Sequence, residues 1–175
     1  MRIRFYGHLR AGFGLSGGAR ATARTLEAVG CQLSYIDLAL TSHAAIQNLP
    51  SSSWDSRTTD ALPLVDLVHT NPNILASNPE LLAQFSLSAP LRIGYWAWEL
   101  EQFPSGWEAF FEGYDEIWCP SSFMAQALAQ RSPVPVIALP HLPNWSHLEQ
   151  RAAQRLAQNR NPQERPFTFL TLFDF

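Results

Sequence analysis

Three groups of residues in this chain have types and spacing suited to chemistry: strand-end histidines, a glycine-rich turn, and a short run that mixes tryptophan with glutamate. His69 closes the apolar run Leu64–His69 and precedes Thr70-Asn71-Pro72. At the end of a parallel strand an imidazole can orient a hydroxyl or assist proton transfer, and a purely structural, hydrogen-bonded ring suits the same position. His141 also ends a strand, Val134–Leu139, but prolines at 140 and 143 flank it, which favours a structural role. In Tyr95-Trp96-Ala97-Trp98-Glu99-Leu100-Glu101, indoles can cover the C–H faces of a pyranose while carboxylates accept from its hydroxyls. Core packing by the tryptophans and helix-end pairing by the acids would explain the same run. Glu99 and Glu101 also admit a hydrolase pair, but that chemistry needs a defined carboxylate separation, which a sequence does not give.

The turn Gly12-Phe13-Gly14-Leu15-Ser16-Gly17-Gly18 follows the strand Ile3–Gly7 and leads into a helix. Unpaired N–H groups at the positive end of a helix can receive a phosphate, and Gly14, Gly17 and Gly18 would let one approach. Tight backbone reversal alone also calls for glycines at such a turn. The GxxxxGK[ST] pattern is absent, and no acidic residue is expected at the place of a ribose contact.

These residues need a frame. Apolar runs at Ile3–Gly7, Leu33–Leu38, Leu64–His69, Leu91–Trp96, Glu116–Cys119 and Val134–Leu139 alternate with helical patterns, which predicts a mostly parallel sheet in an α/β, Rossmann-like three-layer domain. A first helix is expected from about Gly18 to Val29, stopped by Gly30. The capping-box spacing of Ser105 and Glu108, followed by Trp107, Phe110, Phe111 and Tyr114, predicts an aromatic helix. Asn78-Pro79-Glu80 opens another, with Leu81, Leu82 and Phe85 inward. Ser121 caps one carrying Met124, Ala127 and Leu128, and Ser146 and Glu149 open a last one carrying Leu148, Ala152 and Leu156. Thr41–Pro63 reads as a long polar loop. The domain is expected to span residues 1–160, and residues 166–175 to hold a strand that opens a second domain.

Composition narrows the partners. With 46% apolar and 15% charged residues the chain is globular, and no stretch is long enough in apolar residues to cross a bilayer. The start lacks the apolar segment of a secretory signal, so a cytoplasmic location is expected. All twelve basic residues are arginines with no basic run, and the net charge is -3, which argues against nucleic acid as a partner. Cys31 and Cys119 lack metal-ligand spacing and read as buried apolar residues.

Taken together, Tyr95–Pro104, Glu116–Phe123, Pro133–Ile137, Pro140-His141 and Phe169–Phe175 resemble the family-4 glycosyltransferases of the GT-B fold, most specifically over residues 91 to 141. The resemblance implies the N-terminal, acceptor-side half of a bacterial carbohydrate-biosynthesis enzyme. Its C-terminal domain, in cis or in trans, would hold a nucleotide-sugar donor as substrate, with no resident cofactor and no metal required. It implies retaining hexosyl transfer to a carbohydrate or lipid-linked acceptor. By position, Gly14–Gly18 would approach the donor diphosphate and Arg20 would add a contact. His69, Asn71, Glu99 and Glu101 would face the acceptor and the reacting sugar, with His69 and Glu99 as catalytic groups and Trp98 beside the acceptor. The isolated chain would then be inactive, since closing the cleft supplies most of the positioning. Two other readings stand beside this one: a non-catalytic carbohydrate- or partner-binding module, and a truncated inactive fragment that dimerises through its apolar terminal strand.

Overall fold

The computed structural model describes residues 1–40, 62–142 and 145–157, with the side chains of the last stretch described from residue 148. By its internal contacts the chain divides into two compact units, Met1–Leu142 and Pro143–Phe175. The first unit carries an all-parallel sheet of β1 (Arg2–Gly7), β2 (Gln32–Asp37), β3 (Val65–His69), β4 (Leu91–Tyr95), β5 (Glu116–Cys119) and β6 (Val136–Ala138). Each lies within a residue or two of its expected run. Their order across the sheet is β2-β1-β3-β4-β5-β6, so the winding reverses between β1 and β3.

Alternation along the strands sorts the core into two layers. Ile3 and Phe5 of β1, Val65 and Leu67 of β3, and Ile93 and Tyr95 of β4 share one face, which α1 (Gly14–Ala28) covers through Ala19 and Ala23. Tyr6, Val68, Trp96, Ile117 and Cys119 point to the other, covered by α2 (Pro72–Ser77), α3 (Ser122–Ala129) and an aromatic cluster of Trp98, Phe103 and Phe111. The result is a Rossmann-like three-layer α/β domain. Asp66 of β3 is fully buried, paired with Arg4 of β1 at 2.7 Å, and accepts from Ser88 and Ala89 N–H. Arg4 also donates to the Ser86 carbonyl, so this pair fastens the segment before β4 to the sheet.

Three helix expectations change. The first helix begins at Gly14 rather than Gly18, so the glycines form its first turns instead of a loop before it. Glycine is a poor helix former, but Ser16, Ala19, Thr22 and Ala23 bury a small-residue stripe on the sheet, and packing outweighs propensity. The aromatic helix is only a 3-10 turn, Glu108–Phe111. Gly106 and Gly113, both at φ +88°, bracket it in a conformation that a helix excludes, and Glu108 accepts from Gly106 N–H at 2.6 Å. After the unforeseen α2, Pro79–Gln84 is likewise 3-10, and Leu82 faces solvent while Leu81 is buried. The Ser121 cap stands: its Oγ accepts from Met124 N–H at 3.3 Å.

In the second unit α4 (Trp145–Ala157) starts one residue before Ser146, and Leu148 and Leu156 are exposed. The polar loop at residues 41–61, the proposed boundary near 159–166 and the terminal strand lie outside the described residues. No described helix is long and apolar enough to cross a membrane.

Candidate functional site

The carboxyl ends of β1 and β3, where the winding reverses, form the edge at which open α/β sheets bind ligands. Three devices shape it. Gly7, paired in register with His69, lets α1 approach closely: a Cβ there would stand 3.0 Å from Phe5 and 3.3 Å from Ala19. His8, fully buried, lies 2.5 Å from the Leu38 carbonyl through Nδ1 and 2.8 Å from Thr70 Oγ1 through Nε2. A carbonyl can only accept, so Nδ1 carries a proton, and in the neutral ring Nε2 accepts from the Thr70 hydroxyl. That chain ties the ends of β1, β2 and β3 together. Asp37, ending β2, accepts from Leu9 N–H at 2.7 Å and Arg10 N–H at 3.3 Å. It occupies the strand end where dinucleotide folds carry a ribose-binding acid, a position outside the expected set, but here one carboxylate oxygen is committed to shaping the loop.

His69 is fully buried and lies parallel to Tyr95 with ring centroids 4.4 Å apart, flanked by Phe5 at 6.1 Å and His141 at 5.5 Å. Neither ring nitrogen has a hydrogen-bond partner among the described residues. Burial, with repulsion from His141 second, pushes its pKa down to about 3. At neutral pH it is an uncharged, enclosed ring and a weak proton acceptor, so the arrangement does not suit general-base work.

The amino end of α1 stands over this edge. Phe13, the N-cap, supplies the carbonyl that Ser16 and Gly17 N–H groups reach. The first N–H groups of a helix have no intrahelical partner, and a Cβ on Gly14 or Gly17 would meet nothing within 4 Å. With Ser16 and Gly17 N–H spent on Phe13, the N–H groups of Gly14 and Leu15 are the ones left at this positive end, which is exposed at Gly14 and Gly17, and among the described residues Ser16 Oγ is buried without a partner on the sheet side of the same turn. Gly18 is different: a Cβ there would lie 2.6 Å from His141 Nε2, so this glycine makes room for a ring rather than for a phosphate. Arg20 donates to the Leu9 carbonyl at 2.9 Å and the Ala11 carbonyl at 3.3 Å, bracing the loop from behind, and burial lowers its pKa.

The expected acceptor residues separate. Asn71 spends both halves of its amide on Ala97, accepting its N–H at 2.7 Å and donating to its carbonyl at 2.9 Å. Trp98 does not present a ring face to solvent. It is buried against Phe103 and Trp107, and its Nε1 donates to the Gln102 carbonyl. Only Glu99 and Glu101 are exposed, on the turn after β4, an environment unlike the sealed one of His69.

His141, for which the flanking prolines favour a structural role, packs into the same cluster of rings. It stacks on Tyr95 at 5.0 Å, and its Nδ1 lies 3.2 Å from both Tyr95 Oη and Thr22 Oγ1. Tyr95 donates to the Leu139 carbonyl at 2.6 Å. A mostly apolar recess of about 130 Å³, walled by Thr22, Leu26, Tyr95, Leu139, Pro140 and Leu142, adjoins this stack. Apolar and strand-end positions were legible in sequence, but nothing local signals that three rings from β3, β4 and the segment after β6 will stack. A scan against protein-family models and a search of curated proteins find no match to this chain.

Proposed function

We propose that this chain is the acceptor-side, Rossmann-like domain of a GT-B glycosyltransferase resembling family 4, transferring a sugar from a nucleotide-sugar donor to a hydroxyl acceptor when a C-terminal domain completes the cleft. The observation that carries the reading is the open amino end of α1, with Gly14 and Gly17 facing free space at the reversal between β1 and β3. As the bond from sugar carbon to diphosphate oxygen breaks, negative charge grows on the leaving group, and N–H groups at a helix amino end stabilise it. His69, neutral and enclosed beneath the edge, would shape the floor of the site rather than act as a base. Glu99 and Glu101 remain available from the exposed turn, whereas Asn71, Trp98, Gly18 and Arg20 support the edge from behind.

The test is amide chemical-shift mapping of the full chain with nucleoside diphosphates and a panel of nucleotide-sugars, followed by an assay of nucleotide release with and without a complementing C-terminal domain. The reading expects shifts at residues 7–20 and 69–71, and release only with the second domain. Sugar binding that is indifferent to nucleotide, with no shifts at Gly14–Gly17, would replace it with the binding-module reading.

A further inference from the structure

The amino end of α1 belongs to a longer pattern that the expected site leaves out. Gly12-Phe13-Gly14-Leu15-Ser16-Gly17 has the spacing GxGxxG, and Asp37 stands 20 positions after Gly17. In dinucleotide-binding folds such a turn joins the first strand to its helix, and an acid about 20 residues further on accepts from the ribose hydroxyls. The context that gives the pattern meaning is present: β1 leads into the turn, α1 starts at Gly14, and Asp37 is the last residue of β2. In the parallel pairing of β1 with β2, Asp37 lies opposite Gly7, so the acid and the helix end flank one sheet edge, beside the reversal of winding.

The residues of this edge divide the work. Gly12, Gly14 and Gly17 are exposed, and the N–H groups of Gly14 and Leu15 remain at the positive end of the helix. Ser16 Oγ is wholly buried without a partner among the described residues, and helix side chains tilt toward the amino end, so this hydroxyl leans to the same opening. The close approach of helix to strand that the third glycine of such a motif provides is made here by Gly7 against Ala19, which leaves Gly17 open to a ligand. Between strand and motif lie residues 8–11. Arg20 holds them through the Leu9 and Ala11 carbonyls, and Asp37 Oδ1 holds them through the Leu9 and Arg10 N–H groups. Asp37 Oδ2 has no hydrogen bond among the described residues, and the side chain is only half-buried. One carboxylate oxygen fixes the loop while the other is left to accept.

We propose that the first unit binds a ribonucleoside diphosphate by itself, with the diphosphate on the N–H groups of Gly14 and Leu15 and the ribose hydroxyls on Asp37 Oδ2. Free nucleotides, dinucleotides and nucleotide-sugars share this chemistry. The inference goes beyond the transferase reading, which assigns the nucleoside to a C-terminal domain, and it requires no turnover.

Calorimetric titration of the full chain with ADP, GDP, UDP, NAD and UDP-glucose tests it, and the tightest binder names the source of the diphosphate. The 2′,3′-dideoxy form of the best nucleoside diphosphate and the Asp37→Asn variant complete a cycle. Asn keeps an acceptor oxygen for the Leu9 and Arg10 N–H groups, so the loop is retained, but its NH2 cannot accept from a ribose. The native chain should bind the ribose form at least about tenfold more tightly than the dideoxy form. Asp37→Asn should bring that ratio to within about twofold and leave affinity for the dideoxy form unchanged. The comparison of the two ligands on the native chain decides the matter even if the variant fails to fold. Equal binding of both forms by the native chain, a ribose preference that survives in Asp37→Asn, or no nucleoside diphosphate bound at millimolar concentration overturns the inference. Equal binding of both forms together with nucleotide release in the presence of a second domain would sink this inference and leave the transferase reading standing.

Discussion

A buried histidine whose nitrogens have no hydrogen-bond partner among the described residues turns into a measurable pH dependence. His69 has a folded pKa of about 3 against an ordinary 6.5, so the unfolded chain binds the extra proton first as pH falls. Its contribution to stability is complete above about pH 6.5 and declines below it by about 1.4 kcal/mol per pH unit, until the folded ring titrates near 3. His141, whose pKa is also lowered, acts in the same direction. Urea unfolding at pH 7.5, 6.0 and 5.0 should show this slope, and His69→Phe should lose about one proton's worth of it while changing stability at pH 7.5 by less than about 1.5 kcal/mol. An unchanged slope would mean that His69 is not sealed as described. Asp66 is the opposite case, a buried charge with every partner in place. Asp66→Asn leaves Arg4 uncompensated and should cost about 3–5 kcal/mol by urea denaturation. Sequence placed His69 at a strand end correctly, but it did not show that the ring nitrogens would be left unspent, because that depends on Tyr95 and His141 arriving from distant segments.

At the scale of elements, three neighbouring glycines in α1 have opposite roles. Gly14→Ala and Gly17→Ala put a methyl into open space on a helix and should each stabilise by about 0.5–1 kcal/mol. Gly18→Ala drives a methyl against His141 and should destabilise by about 1–3 kcal/mol. Thermal melts of the three variants separate the roles, and a Gly18→Ala variant as stable as the native chain would show that the His141 ring can leave its notch freely. In sequence these glycines look like one loop, since composition cannot tell a flexible turn from a small-residue stripe under a helix. The same ambiguity applies at Ser105–Tyr114. The apolar spacing there is helical, but Gly106 and Gly113 take positive φ and confine the helix to one 3-10 turn.

For the whole first unit, the order of the strands predicts its local stability. β1, β3 and β4 each have neighbours on both sides and lie in the two-sided core, whereas β6 is a short edge strand with Ile137 exposed. Amide exchange should be slowest in β1, β3 and β4 and at least about tenfold faster in β6, measured by mass spectrometry at pH 7.5. Equal protection in β6 would mean that something beyond its pairing with β5 holds that edge. The amino-acid sequence by itself determined the six strands, the alternation that makes them parallel, and the strand-end positions of His69 and His141, because apolar periodicity and turn residues are local properties. Only the tertiary structure decided which of those residues meet. It buried Trp98 in an aromatic cluster, committed Asn71 to Ala97 and Asp37 to the loop after β1, and stacked His69, Tyr95 and His141 under α1. Those outcomes depend on strand order and on packing between residues as many as 119 positions apart, as Thr22 and His141 are, and no local pattern encodes such distances.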